Sequence, residues 1–182
     1  MEIIDSIKNR HSTVLFSSTS VEKKKLDLLF EAARWAPSAH NEQPWRFIIG
    51  IKEKDDIYDK LLDCLVDTNK HWAQHAPVLC LVSAKKIFSH NSNPNRTSFY
   101  DTGLAVGNLL SQATSLDLFV HQMGGFSIDK ATNEFKIPEN FEPIVIMAIG
   151  YKGRPDDFPD DLQLREKKAR IRKHADDFNK FV

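Results

Sequence analysis

Little in this chain would staple or anchor it. It has two cysteines, Cys64 and Cys80, and they form no C-x-x-C pair. A disulfide scaffold or a thiolate metal cluster is therefore excluded as the organising device. Cys80 lies inside the apolar run 78–82, so a buried, inert thiol is expected. This cysteine usage suits a reducing cytoplasm, which is the expected location. No apolar stretch approaches the roughly 18 residues of a membrane span, and residues 1–5 show no basic-then-apolar leader pattern, so neither membrane insertion nor export is expected. Net charge is absent too: 25 Lys and Arg balance 25 Asp and Glu. That leaves no overall field to draw nucleic acid or an anionic membrane. The glycine patterns of Rossmann and Walker loops are missing. So is any Ser–His–Asp or Cys–His order. With no protein nucleophile in view, a cofactor is the natural carrier of any chemistry.

The 182 residues are enough for one domain, with a hydrophobic core that needs no staples. Residues 1–10 read as a short helix with Ile3, Ile4 and Ile7 on one face. Thr19 and Glu22 have capping-box spacing before a second helix. That helix carries Leu26, Leu29, Phe30 and Ala33 on one face and ends at Pro37. Strands are expected over 47–51, 78–83, 119–123 and 143–149, and helices over 54–65, 69–74, 102–116 and 129–135. Residues 91–97 read as a loop. Gly103 and Gly107 fall on one face of the 102–116 helix. Each costs about 1 kcal/mol relative to alanine, which suggests close approach of another backbone. The last thirty residues show no apolar core pattern before Phe178 and Phe181, as in a tail that lies on another surface. Strands and helices mix without regular βαβ alternation, so the fold class is α+β.

Candidate site residues fall into four groups. Arg10 and Ser12, with Arg170 and Arg172 near the other end, offer guanidinium forks for a phosphate. Each also suits a plainer role, Arg10 at a helix C-terminus and the pair on a solvated basic face. The loop 37–45 packs Pro37, Ser38, His40, Asn41, Glu42, Gln43, Pro44 and Trp45 between a helix and a strand, more polar groups than a turn requires. Gly124 and Gly125 could be a tight turn, or could present a backbone N–H closely to a flat ligand. His71 and His75 have zinc-ligand spacing on a helix, but no carboxylate lies between them and no third ligand is evident, so no metal site is expected.

In chain order these pieces resemble the nitroreductase family of flavoenzymes. Arg10-His11-Ser12-Thr13 is similar to its N-terminal signature. Ala33-x-x-Ala36-Pro37-Ser38-Ala39-x-Asn41-x-Gln43-Pro44-Trp45 resembles its most specific motif. Asn69-x-x-Trp72-x-x-x-Ala76-Pro77-Val78 resembles the next block. Asp101 with the glycine-bearing helix, Met123-Gly124-Gly125-Phe126, and Arg170-x-Arg172 complete the likeness.

The resemblance implies a single domain, 1–182, with a central, mostly antiparallel sheet flanked by helices, assembled as an intertwined homodimer. The tail from 153 on would wrap the partner. It implies FMN at the subunit interface, with Arg10, His11, Ser12, Pro37, Ser38, Ala39, Asn41, Asn69, Gly124, Gly125, Arg170 and Arg172 binding it. Arg10, Ser12, Arg170 and Arg172 would take the phosphate and ribityl chain. Asn69 would take the ring's polar edge. Ser38 and Asn41 would come from the other subunit, and the Gly124 N–H would face N5 as the catalytic donor. NADH or NADPH would supply hydride for a small electron-poor acceptor, a nitroaromatic or quinone, in ping-pong order. Alternatives are a specialised member (dehalogenation or flavin breakdown) and a flavin-binding or sensing protein without turnover. Many relatives have a second arginine where His11 stands, and some an acidic residue where Gly124 stands. The segment 83–100 is too short for a long substrate-covering insertion.

Overall fold

Period-two patterning builds the centre of the molecule. The computed structural model describes residues 2–178 and contains four strands: β1 (Trp45–Ile51), β2 (Val78–Lys85), β3 (Phe119–Met123) and β4 (Phe141–Gly150). They form one antiparallel sheet in the order β1-β2-β4-β3. Both faces are covered. Leu79, Leu81, Ile146 and Ala148 enter one core, while Val78, Cys80, Val82, Met147 and Ile149 enter the other. This double burial explains why the two central strands read as continuous apolar runs rather than alternating ones.

Helices α3 (Asp56–Cys64), α4 (Asp67–Ala73) and α6 (Ile128–Glu134) contribute to the first core. Helices α2 (Lys23–Arg34) and α5 (Ser98–Ser115) contribute to the second. Gly50 in β1 is needed for this packing, because a Cβ there would lie 2.4 Å from the backbone nitrogen of Tyr58 in α3.

The expected strands and helices are all found, with several corrections. β4 starts two residues early and includes Pro143, which pairs with Ser83 where the register shifts between Val82 and Ser83. A bulge is where a sheet tolerates a residue that lacks a ladder N–H. α5 begins at Ser98 rather than 102. The first helix is only α1 (Asp5–Lys8), and Ile3 and Ile4 before it and Ile7 within it stay exposed in this chain. The Thr19–Glu22 capping box does not form. Glu22 is itself the N-cap without a side-chain cap bond, and Thr19 Oγ1 pairs with Ser17 Oγ at 2.8 Å instead.

Residues 153–166 pack on their own chain. The Gly153 N–H donates to the Leu15 carbonyl at 2.8 Å, Phe158 packs against the first core, and Leu162 of α7 (Asp160–Glu166) is fully buried. Two isolated apolar residues among acidic ones carry no periodic signal, so the sequence conceals this docking. Phe181 lies outside the described residues.

Candidate functional site

Residues 10–14 and 165–172 are far apart in sequence but line one cavity of about 310 Å³, together with His121 of β3. Arg10 donates to Ser12 Oγ at 3.0 Å. Arg170 donates through both terminal nitrogens to the carbonyls of Arg10 and Lys8. Arg172 completes the set. The Arg10 pKa is lowered by burial first and by the charges of Arg172 and Arg170 second. Arg165 and Lys168 also line the cavity.

The carboxylate within this cavity is already committed. Glu166 accepts from Lys152 Nζ at 2.6 Å and pairs with His11 Nε2 at 3.1 Å. It also accepts from Thr13 Oγ1 at 2.9 Å and the Val14 N–H at 3.1 Å. Desolvation pushes its pKa up, but the donors outweigh that and the net shift is downward. Glu166 thus fixes residues 13–14, and among the described residues no carboxylate pairs with Arg10, Arg170 or Arg172. Like charges crowded together are costly unless an anion joins them, so the arrangement has the chemistry to take an anion such as a phosphate. His11 serves the Glu166 cluster here; in the cavity it stands beside the arginines rather than among them.

The His121 ring lies against Trp72, with centroids 4.3 Å apart and planes tilted by 31°. Its Nδ1 lies 2.8 Å from the Thr13 carbonyl. A carbonyl only accepts, so Nδ1 carries the proton and Nε2 is left as an acceptor. Burial is the main reason its pKa is lowered.

From His121 the strand runs three residues to Gly124, about 10 Å at the usual rise. Among the described residues, neither the Gly124 nor the Gly125 N–H has an acceptor. A Cβ on Gly124 would meet nothing within 4 Å, whereas one on Gly125 would lie 2.7 Å from Asn69 Nδ2 and 3.0 Å from Val66 Cγ2. Asn69 donates to the Gly125 carbonyl at 3.0 Å. So Gly125 is glycine because of Asn69, and close approach to a flat ligand is not needed to explain it. Gly124 is the one that opens to free space.

Pro37, Ser38, Ala39 and Asn41 are not in the cavity. Their loop leads into β1, the edge strand opposite β3, and three interstrand spacings amount to about 14 Å. Its backbone is strained: His40, Asn41 and Gln43 have φ of 52°, 54° and 49°. Left-handed conformations of such residues persist only where surroundings impose them, and they concentrate at functional sites. Here the buried Asp101 of α5 accepts from the Ala39 N–H at 3.1 Å. Ser38 Oγ accepts from the Gln43 N–H at 3.0 Å, and Asn41 Oδ1 accepts from Gln43 Nε2 at 3.0 Å.

The histidine pair is accounted for otherwise. His71 Nε2 bonds Asp161 at 3.0 Å, and the His75 ring meets Phe158 edge-on. The sequence reading missed Glu166, Lys152, His121, Arg165 and Lys168. One signal was available: Glu166 is the single carboxylate inside the basic run 165–173.

An α+β sheet covered on both faces, with a guanidinium cavity at one edge and a strained polar loop at the other, defines the class. The nitroreductase family's sequence model matches residues 7–71 and 65–151, and the chain belongs to the nitroreductase family. A crystal structure described as an oxidoreductase containing FMN superposes with a TM-score of 0.86 at 32% identity, over 94% of this chain and 88% of its own. A nitroreductase family protein from Clostridium difficile 630 gives 0.76 at 26%, over 100% and 98%. A Methanothermobacter thermautotrophicus protein, provisionally named an NADH dehydrogenase/NAD(P)H nitroreductase, is 26% identical over 159 residues, covering 83% of this chain and 78% of its own.

Proposed function

We propose that this protein is an FMN-dependent NAD(P)H oxidoreductase working as a homodimer. The observation that carries the reading is the convergence of Arg10, Arg170 and Arg172 on one cavity whose carboxylate is already paired. The residues fit FMN on two counts: the guanidinium groups suit a phosphate monoester, and about 10 Å along β3 the unpartnered Gly124 N–H suits an electron-rich ring edge. FMN held there would supply, through N5, hydride transfer between NADH or NADPH and an electron-poor acceptor such as a nitroaromatic or quinone.

The chain's own part is binding and electrostatics. Arg10, Ser12, Arg170 and Arg172 hold the phosphate and ribityl end. Asn69 fixes the Gly125 carbonyl and so steadies the turn that carries the Gly124 N–H, the catalytic donor of this reading. Donor and acceptor use one face in succession, a ping-pong order whose signature is parallel double-reciprocal lines.

The second half of the site comes from the partner. Ser38 and Asn41 stand at the wrong sheet edge to meet Arg10 within one chain. Gly103 and Gly107 on α5 have nothing within 4 Å of where a Cβ would be, and they line an open groove with Gln122. Trp35 and Tyr100 are exposed by 72% and 70%. A second copy on this face supplies the backbone the glycines await.

The test is the purified protein with added flavins. FMN should bind, riboflavin more weakly, and NADH or NADPH should be consumed when an acceptor is added. Arg172→Ala should weaken FMN more than riboflavin, since one charge-assisted hydrogen bond is worth roughly 1.5–3 kcal/mol. Preference for FAD, or no affinity for FMN, overturns the reading. Binding without steady NAD(P)H oxidation would leave a flavin sensor.

A further inference from the structure

Two loops are locked together through residues that the flavin reading leaves without a role: His40 and Glu42 in one, Phe88 and His90 in the other. The first is the strained loop around His40. The second is the short hairpin 86–95, closed by the Ile87–Pro94 bridge and by the Phe88 N–H donating to the Asn93 carbonyl at 2.9 Å. Glu42 joins them. Its carboxylate, 5% exposed, accepts from the Ser89 N–H at 2.8 Å, Ser89 Oγ at 2.7 Å and Lys85 Nζ at 3.1 Å. Burial alone would raise its pKa, but the donors hold it at about 2, so it is ionised at neutral pH.

Beside this clamp, three rings meet in a closed triangle. His40 lies 5.4 Å from Phe88 and 5.4 Å from His90, and Phe88 lies 5.3 Å from His90, centroid to centroid. Phe88 is half-buried, while His40 and His90 are exposed. Rings held on a pinned backbone offer a flat molecule contact area without an ordering cost, and each imidazole adds a possible N–H donor.

We propose that the His40–Phe88–His90 triad is the wall that selects the acceptor. It stacks a planar aromatic acceptor, and an imidazole donates to its nitro or quinone oxygen. Glu42 is a positioning residue that keeps the wall in place. The proposal rests on the reading above: His40 lies between Ser38 and Asn41, so if those two reach the partner's flavin, the triad stands beside the same face. The hairpin then does, in ten residues, the work of the longer cover this chain lacks.

The test uses the FMN-loaded protein with NADH or NADPH and two acceptors, menadione and ferricyanide, the latter without a ring to stack. In Phe88→Ala and in His90→Ala, the ratio of kcat/KM for menadione to kcat/KM for ferricyanide should fall roughly three- to tenfold, the equivalent of one aromatic contact. Phe88→Tyr should keep the ratio. If Phe88→Ala fails to fold, His90→Ala on the exposed rim carries the test alone. A wild-type protein that takes up no FMN overturns the flavin reading and the wall with it. Variants that bind FMN and are reduced, but keep the wild-type ratio, overturn the wall alone and leave the hairpin as a structural clamp.

Discussion

Asn69 and Gly125 fit each other: the Asn69 amide donates to the Gly125 carbonyl at 3.0 Å, and a Cβ on Gly125 would lie 2.7 Å from that same amide nitrogen. Gly125→Ala should therefore destabilise the fold by about 1–3 kcal/mol, the usual cost of overpacking. Asn69→Ala in the same chain should relieve much of it. A double-mutant cycle by urea unfolding checks this. Additive costs would mean that the two residues are not coupled.

Glu166 should make stability pH-dependent. Its pKa is lowered in the folded protein from an ordinary value of 4.5. Its contribution is then present above that value and lost as pH falls through the lower folded value. Glu166→Gln should cost stability at pH 7, and the gap to wild type should narrow below pH 4.5. Thermal unfolding from pH 7 to pH 3 reads it, and a gap independent of pH would refute the ion cluster.

The thiols should be silent in the native state. Cys80 is 0% and Cys64 2% exposed, and burial raises both pKa values. A chromogenic disulfide reagent should titrate no fast thiol in the folded protein and both in denaturant. Rapid native reaction would mean that one core opens readily.

Shared sites predict complementation. Arg172→Glu and Asn41→Trp should each inactivate a homodimer, because both of its sites carry the lesion. In a mixed C2 dimer both lesions fall in one site and the other is intact. Equal refolding with FMN makes half the dimers mixed, so about a quarter of wild-type activity should return. Mixed dimers that form and stay inactive would place all the residues in one chain's site.

Gly103 and Gly107 give an independent check on the interface. Both have free space around them in the single chain. Gly107→Leu should therefore fold normally by circular dichroism but shift sedimentation towards monomer and weaken FMN binding. A variant that remains a dimer with unchanged FMN affinity would exclude this face.

Local rules were enough for the elements. Val78 to Val82 and Val145 to Ile149 announce buried strands because both of their faces meet apolar cores, and Leu26, Leu29 and Ala33 announce α2 by spacing alone. The motif loops were equally legible, since the polar side chains between Pro37 and Trp45 exceed what a turn requires. Sequence could not decide what meets what. That Glu166 binds Thr13, 153 residues away, that Gly125 answers to Asn69, 56 away, and that Glu42 pins Ser89, 47 away, are consequences of packing between segments distant in sequence. Leu162 looked like part of a core-poor tail lying on another surface, because one buried side chain in an acidic run has no period to reveal it. The separation of Ser38 from Arg10 follows from the strand order, which places β1 and β3 on opposite edges. Periodicity records which face of each strand is buried and carries no record of which strand lies beside it.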